Sequence, residues 1–261
     1  MGGLAGYQVT TGNDNTFTGV GAGDAINTGS SNVALGRSAL TSDTKGSRST
    51  ALGHGSLVIQ NLTTATDAYN VAVGMNAGTN ITTGVQNTLL GSLAGDALTD
   101  ADSNVAVGYN ALSADTLGSR STAVGRGALA TQNFTTATNN YNVAVGYDTA
   151  AYVTTGKYNT VVGSLAGDAM TTGEANTFIG YNAAGAGTTT GSNNVGIGNT
   201  ALEDVTSGAN NTAVGTIAGQ NVTSGANNLF LGRDAGITGS PGGNVTTASN
   251  TICIGDENIA N

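Results

Sequence analysis

Apolar and polar residues along this chain alternate over only three positions, halt at a glycine, and then the pattern begins again. The phrase is Asn, then Val or Thr, a small or apolar residue, an aliphatic, and Gly. It reads Asn32-Val-Ala-Leu-Gly36, Asn70-Val-Ala-Val-Gly74, Asn104-Val-Ala-Val-Gly108, Asn176-Thr-Phe-Ile-Gly180 and Asn211-Thr-Ala-Val-Gly215. It starts at Asn15, Asn32, Ser49, Asn70, Asn87, Asn104, Ser121, Asn142, Asn159, Asn176, Asn194, Asn211, Asn228 and Asn250. Nine of the thirteen spacings are 17 residues and the others are 21, 21, 18 and 22. A fixed short period means that one structural unit is stacked on itself. Residues 46–97 return nearly intact at 118–169, an offset of 72, so a block of four coils is duplicated with its insertion.

Seventeen residues suit one turn of a parallel β-solenoid with two short strands. With the Asn as position zero, positions one and three lie on one side of an extended strand and position two on the other. Position three is aliphatic (Leu35, Val73, Val107, Ile179, Val214), and position two is often Ala, sometimes Phe17, Phe178 or Phe230. Both faces therefore read as buried, one against the coil's own second strand and one against something else. Position four is Gly in thirteen coils of fourteen, which argues for a tight bend or a close backbone approach. Position seven is small in the same thirteen, as in Ala39, Ala77 and Ala111, which fits a thin coil. The repeated Asn has two readings. Stacked amides hydrogen-bond to their equivalents about 4.8 Å away, or Asn simply tolerates the turn.

The repeat makes residues 1–261 one solenoid domain of about 14 coils, with insertions at 58–69, 130–141 and 237–249. The coil spacing implies a rod about 65–70 Å long. The last strand, Thr251-Ile-Cys-Ile-Gly255, reads as having one extra residue before its Gly. The chain begins in mid-coil, which points to a fragment or to an open end that meets another chain.

The phrase Asn-Thr/Val-Ala-Val-Gly, two residues, then Ala, resembles the head repeats of trimeric autotransporter adhesins. It is also similar to the Asn-Thr-Ala-Val-Gly-rich repeats of bacteriophage tail fibres, from Gly2 to about Gly255. Adhesin heads have shorter coils, so the longer return loop here favours the phage type. The resemblance implies a left-handed parallel β-roll with three chains side by side, a homotrimer whose second strand face packs on its partners. It further implies an extracellular or virion location, in a structural or adhesive fibre. A head-to-tail filament is the alternative assembly.

Composition narrows the choice. Only 9% of residues are charged and the net charge is −9, without a basic stripe, which argues against nucleic acid as a partner. No apolar run of membrane-spanning length and no signal peptide is visible. Cys253 is the single cysteine and reads as a buried, inert thiol. His54, the single histidine, sits at the variable position five and reads as a surface residue, and no nucleophile–base–acid set assembles around it. The expectation is a chain that is not an enzyme and has no cofactor. Asp100 and Asp102 offer two oxygens, fewer than a hard metal ion needs, so no metal site is assigned. An ice-binding solenoid is a further alternative, but the pairs Thr82-Thr83, Thr154-Thr155 and Thr171-Thr172 fall in the return loop. Candidate contacts to a host glycan or protein are Tyr69, Tyr141 and Phe134 of the insertions, and Tyr109, Tyr147 and Tyr181 at position five. The opposing reading is that the insertions are merely tolerated.

Overall fold

The computed structural model describes residues 2–240 and 243–256, and every regular element among them is a short β-strand. They form a parallel β-solenoid of about 17 residues per turn whose coils group into two compact units, Met1–Gly127 with Asn133–Asn140, and Ala128–Gln132 with Tyr141–Asn261. Unit 1 contains β1 (Thr16–Thr18), β2 (Val33–Leu35), β3 (Gly46–Ser47), β4 (Thr50–Leu52), β5 (Thr66–Asp67), β6 (Val71–Val73), β7 (Thr88–Leu90), β8 (Val105–Val107), β9 (Gly118–Ser119), β10 (Thr122–Val124) and β11 (Thr138–Asn139). Unit 2 contains β12 (Val143–Val145), β13 (Thr160–Val162), β14 (Thr177–Ile179), β15 (Val195–Ile197), β16 (Thr212–Val214), β17 (Leu229–Leu231) and β18 (Ile252–Ile254).

In unit 1 the main strands run parallel in the order β1-β2-β4-β6-β7-β8-β10, and in unit 2 the order is simply β12 to β18. Register is equivalent-on-equivalent: Ala34 pairs with Ala51 and Val161 with Phe178. The last coil corrects one expectation. Ile252 pairs with Leu229 and Cys253 with Phe230, so Thr251 rather than Asn250 holds position zero. The strand carries no extra residue, and Gly255 completes a glycine at position four of all fourteen phrases. The third insertion, at 237–249, takes up the difference; its Pro241 and Gly242 lie outside the described residues.

The expected second strand is absent from most coils. Positions five to twelve form linked turns in which left-handed and right-handed residues alternate. Asn76 (φ 58°) and Gly78 (φ 57°) flank Ala77, and Asn110 (φ 59°) and Leu112 (φ 53°) flank Ala111. The alternation aims successive N–H groups at opposite neighbours. Asn76 donates back to His54 (2.9 Å), and Gly78 donates forward to Ala94 (3.0 Å). The coil-to-coil ladder is thus kept without extended backbone, although a non-glycine residue costs about 1 kcal/mol or more in this conformation.

The repeated Asn is explained by neither reading alone. Its own φ is not left-handed; the residue before it is, as at Ser31, Gln86, Ser103 and Asn193. The Asn side chain bridges coils through backbone groups. Asn87 Nδ2 donates to the Ala101 carbonyl (2.8 Å) and its Oδ1 accepts from the Asn104 N–H (3.0 Å). The same pair of bonds recurs at Asn32, Asn176, Asn194 and Asn211. Amide-to-amide contacts are secondary, at 3.1–3.3 Å between Asn70 and Asn87, Asn142 and Asn159, and Asn194 and Asn211. A second ladder follows at position twelve, where Thr82, Thr99, Thr206 and Thr223 hydroxyls donate to the next coil's carbonyl at 3.0–3.2 Å. The return segment is therefore regular rather than a variable loop.

Close stacking also explains position four. A Cβ on Gly36, whose φ is 139°, would lie 2.5 Å from the Gly53 carbonyl oxygen of the next coil. No side chain fits there, and few would adopt that φ.

The interior is one layer thick. Position two points inward, and Ala51, Ala106, Leu89 and Phe230 are all fully buried, against positions seven, eight and eleven. Size is traded between positions two and eight. Ala34, Ala51, Ala106 and Ala123 at two go with Leu40, Leu57, Leu112 and Leu129 at eight, whereas Ala72, Ala144 and Ala213 go with Gly78, Ala150 and Gly219, small where the next coil carries Leu89, Val161 or Phe230 at two. Phe17, Leu89, Val161 and Phe230 at two go with Gly23, Gly95, Gly167 and Gly236 at eight, and Phe178 goes with Ala184. A Cβ on Gly95 would lie 2.7 Å from Leu89 Cδ2. Leu89→Ala should cost about 2–5 kcal/mol in urea unfolding. Adding Gly95→Leu should recover part of that loss, because Leu112 already occupies the same left-handed position beside Ala106. An additive double variant would show that the two positions do not share one volume.

Candidate functional site

Positions one and three point outward on every main strand. In the single chain they are half-buried to exposed, with Leu35 at 51% and Ile254 at 57% exposure. Each unit thus presents a sheet face of Val, Thr, Leu and Ile that none of the described residues covers. Only the inward face of each strand is buried, which narrows the expectation that both faces are. Two outward positions border this face: the residue before the Asn on one side and position five on the other.

The tyrosines gather on these borders. Tyr69, Tyr141 and Tyr158 precede an Asn, while Tyr109, Tyr147 and Tyr181 hold position five. All eight tyrosines of the chain are 45–74% exposed, whereas Phe134, Phe178 and Phe230 are buried. The expected contacts Tyr69, Tyr109, Tyr141, Tyr147 and Tyr181 are therefore surface residues. Phe134 is not: at 6% exposure it packs inside, as does its equivalent Leu62 at 5%. Its ring is core, because the insertion's first residues fold inward before the loop turns out. Tyr158, which spacing had not singled out, stacks on Tyr141 with ring centroids 5.9 Å apart, and Lys157 Nζ lies 6.0 Å from the Tyr158 ring centroid. In unit 1, Arg48 lies 5.5 Å over the Tyr69 ring, bonds its hydroxyl (2.5 Å) and pairs with Asp67 at 3.0 Å.

The insertions are anchored by a buried polar set. Asp43 and Gln60 take position eleven, which is aliphatic in Ile81, Leu98, Val153 and Val205. Asp43 Oδ1 accepts from the N–H groups of Gly46 (3.0 Å) and Leu62 (3.1 Å), and Oδ2 accepts from Gln60 Nε2 (2.5 Å). Gln60 also donates to Ser49 Oγ (3.0 Å) and accepts from Asn70 Nδ2 (2.8 Å). The second copy repeats the plan: Asp115 accepts from Gly118 and Phe134, Gln132 from Asn142, and Ser121 donates to Asn140. The insertion's base is built into the core, and β3–β5 and β9–β11 pair its far side to the preceding coil. Its longest exposed run is the tip, Thr63, Thr64 and Ala65 in one copy and Thr135, Thr136 and Ala137 in the other. The signal in the sequence is a joint one: Ser replaces the Asn only where Asp precedes it at position eleven and Gln follows.

No convergent reactive set accompanies these features. His54 is exposed at position five. Asp100 accepts from the Thr83 hydroxyl and Asp102 from the Val85 N–H, so the two carboxylates are engaged separately. Among the described residues no three His, Cys, Asp or Glu side chains cluster as metal ligands, and no helix is long and apolar enough to cross a membrane. Cys253 is buried at position two, and burial pushes its thiol pKa up. No protein-family model, curated protein or solved structure matches the chain.

Burial raises the Asp43 carboxyl above the ordinary 3.8, partly offset by the hydrogen bonds from Gln60, Leu62 and Gly46. Its folded pKa exceeds its unfolded one. Asp43 therefore contributes stability that is full below the unfolded value and lost as pH rises through the folded value. Asp96, Asp168 and Asp204 are raised in the same direction by burial and act equally in a variant that keeps them. In urea unfolding, Asp43→Asn should gain on the parent chain as pH rises from about 4 to 7. A difference that stays constant across that window would show that Asp43 titrates alike in both states.

Proposed function

We propose that this chain is a structural and adhesive fibre segment, extracellular or virion-borne, that associates with copies of itself and presents a host-contact surface. The observation that carries the reading is the uncovered apolar sheet face of each unit. The interior is a single layer of mostly small side chains, which buries little area per residue. A second apolar face is the natural place to supply more, and its tyrosine-lined borders match the composition of protein interfaces. Three chains is the arrangement that the repeat's resemblance to fibre proteins favours. The open insertion tips, rich in Thr and anchored from below, are the parts best placed to meet a host glycan or protein.

Light scattering on the full chain should give a mass near three chains. Val107→Glu, which places a charge in the half-buried outward rank of β8, should shift it toward one chain with unchanged far-UV circular dichroism. Rods of indefinite mass would instead favour a head-to-tail filament. A parent chain that is a monomer at all concentrations would remove the reading.

A further inference from the structure

We infer that position three of the main strands is the rank nearest the axis around which copies associate, where it meets position three of the same coil in the next copy, and that position one packs further out. The inference rests on the three-chain self-association proposed above and names the residues that meet.

The two outward ranks of each unit are not alike. In unit 1, position one alternates between Val and Thr from β2 to β10: Val33, Thr50, Val71, Thr88, Val105 and Thr122. Position three on the same strands carries no hydroxyl and is always Leu or Val, as in Leu35, Leu90 and Val107. Unit 2 repeats the contrast, with Thr160, Thr177 and Thr212 at position one and only Val, Ile or Leu at position three. Exposure runs against polarity. From β2 to β17 every position-one residue is half-buried, while Leu35, Ile179 and Val214 at position three are exposed. Position three borders the glycine of position four, and Gly36, Gly74 and Gly108 are half-exposed backbone without side chains. That strip must stay bare, because a Cβ on Gly108 would collide with the Gly125 carbonyl of the next coil. The more apolar rank of each unit thus stands beside room for a foreign side chain.

Symmetry and period choose the occupant. Three copies in a closed ring are related by rotation. Only an axis along a unit's stack of coils keeps the whole face of that unit in contact. Rotation leaves height along the axis unchanged, so each coil meets its own equivalent. Contact sustained over several coils also needs a surface of the same spacing, and a second copy of this chain has it. The rank nearest the axis faces copies of itself. Position five fails that condition, because Arg37 would face Arg37, and like charges at an interface are costly. Position one would bury Thr hydroxyls in alternate coils of unit 1, and a buried hydroxyl costs free energy unless it is hydrogen-bonded. Position three sets aliphatic against aliphatic on every main strand from β2 to β18, and the bare glycine strip beside it admits the partner's side chain.

The test is oxidative cross-linking of the full chain carrying Cys253→Ala, since Ala already holds position two of many coils. Val107→Cys and Val105→Cys place the same thiol at positions three and one of β8. Leu90→Cys and Thr88→Cys do the same on β7 and replace the first pair if it does not fold. Covalent dimers are followed in time on non-reducing gels. A disulfide needs its two Cβ atoms about 4 Å apart, so the position-three variants should bridge about tenfold faster than the position-one variants. A ring of three leaves its third thiol free, so the product should be a dimer and no longer ladder. Light scattering and circular dichroism of the reduced samples control for assembly and folding. If the position-one variants bridge as fast or faster, position three is not nearest the axis, and the inference fails while the self-association stands. If neither rank bridges although the chains associate, the copies meet through another surface, and the inference fails. If the parent never self-associates, the fibre reading itself has failed.

Discussion

Equivalent-on-equivalent stacking is the constraint on which everything else in this molecule depends. Each side chain lies about 4.8 Å from its counterpart in the next coil, so a residue type at a repeated position must tolerate a copy of itself at that distance. Glycine at position four meets this trivially, and the Gly53 carbonyl beneath Gly36 shows that nothing larger would. Asparagine at position zero meets it by supplying both a donor and an acceptor. Each amide closes one bond to the coil's backbone on either side of its corner. Charged residues fail the test because like charges would stack, which is why only 9% of the chain is charged.

The same constraint explains how the repeat is broken. Replacing Asn by Ser at positions 49 and 121 removes the reach to the next coil's carbonyl. The gap is filled only because Asp43 and Gln60, or Asp115 and Gln132, bring polar atoms to the interior from the adjoining coils. A buried polar network is stabilising only when its members are satisfied, so these substitutions had to travel together. The 72-residue duplication carried the whole set, and with it the insertion whose backbone N–H, at Leu62 or Phe134, completes the acid's hydrogen bonds.

Much of this was legible in the chain's periodicity, because a solenoid converts spacing directly into contact. The parallel coils, the opposite faces of position two and of positions one and three, the small position seven and the exposed position five follow from counting, while the structure decides that position two is the inward one. The second strand did not, since alternating left- and right-handed residues leave the same ladder of hydrogen bonds with no sequence signature beyond Asn, Leu and Gly at positions six and eight. Phe134 was misplaced because an insertion has no register to count by. Its burial is set by the Asp115 contact to its N–H, a tertiary bond. Thr251 was missed as position zero because Asn250 mimics the phrase, while backbone pairing to Leu229 fixes the true register.

The left-handed residues bear on why such a chain would work as an assembly. Leu40, Leu57, Leu112 and Leu202 hold a conformation that leucine avoids in isolation. Their N–H groups reach a neighbouring coil only in that conformation: Leu40 bonds Ser56 and Leu202 bonds Ala218, each at 3.0 Å. A single coil thus has strained backbone and no ladder, and its stability comes almost wholly from neighbours, as in other repeat proteins. Stacking carries the backbone hydrogen bonds from coil to coil but buries only one of the three side chains of each main strand. The outward ranks of each unit are therefore an apolar surface that stacking cannot use. Adding coils only makes that surface longer, so covering it requires contact from the side, and a lateral neighbour answers a need that the solenoid's own growth leaves open.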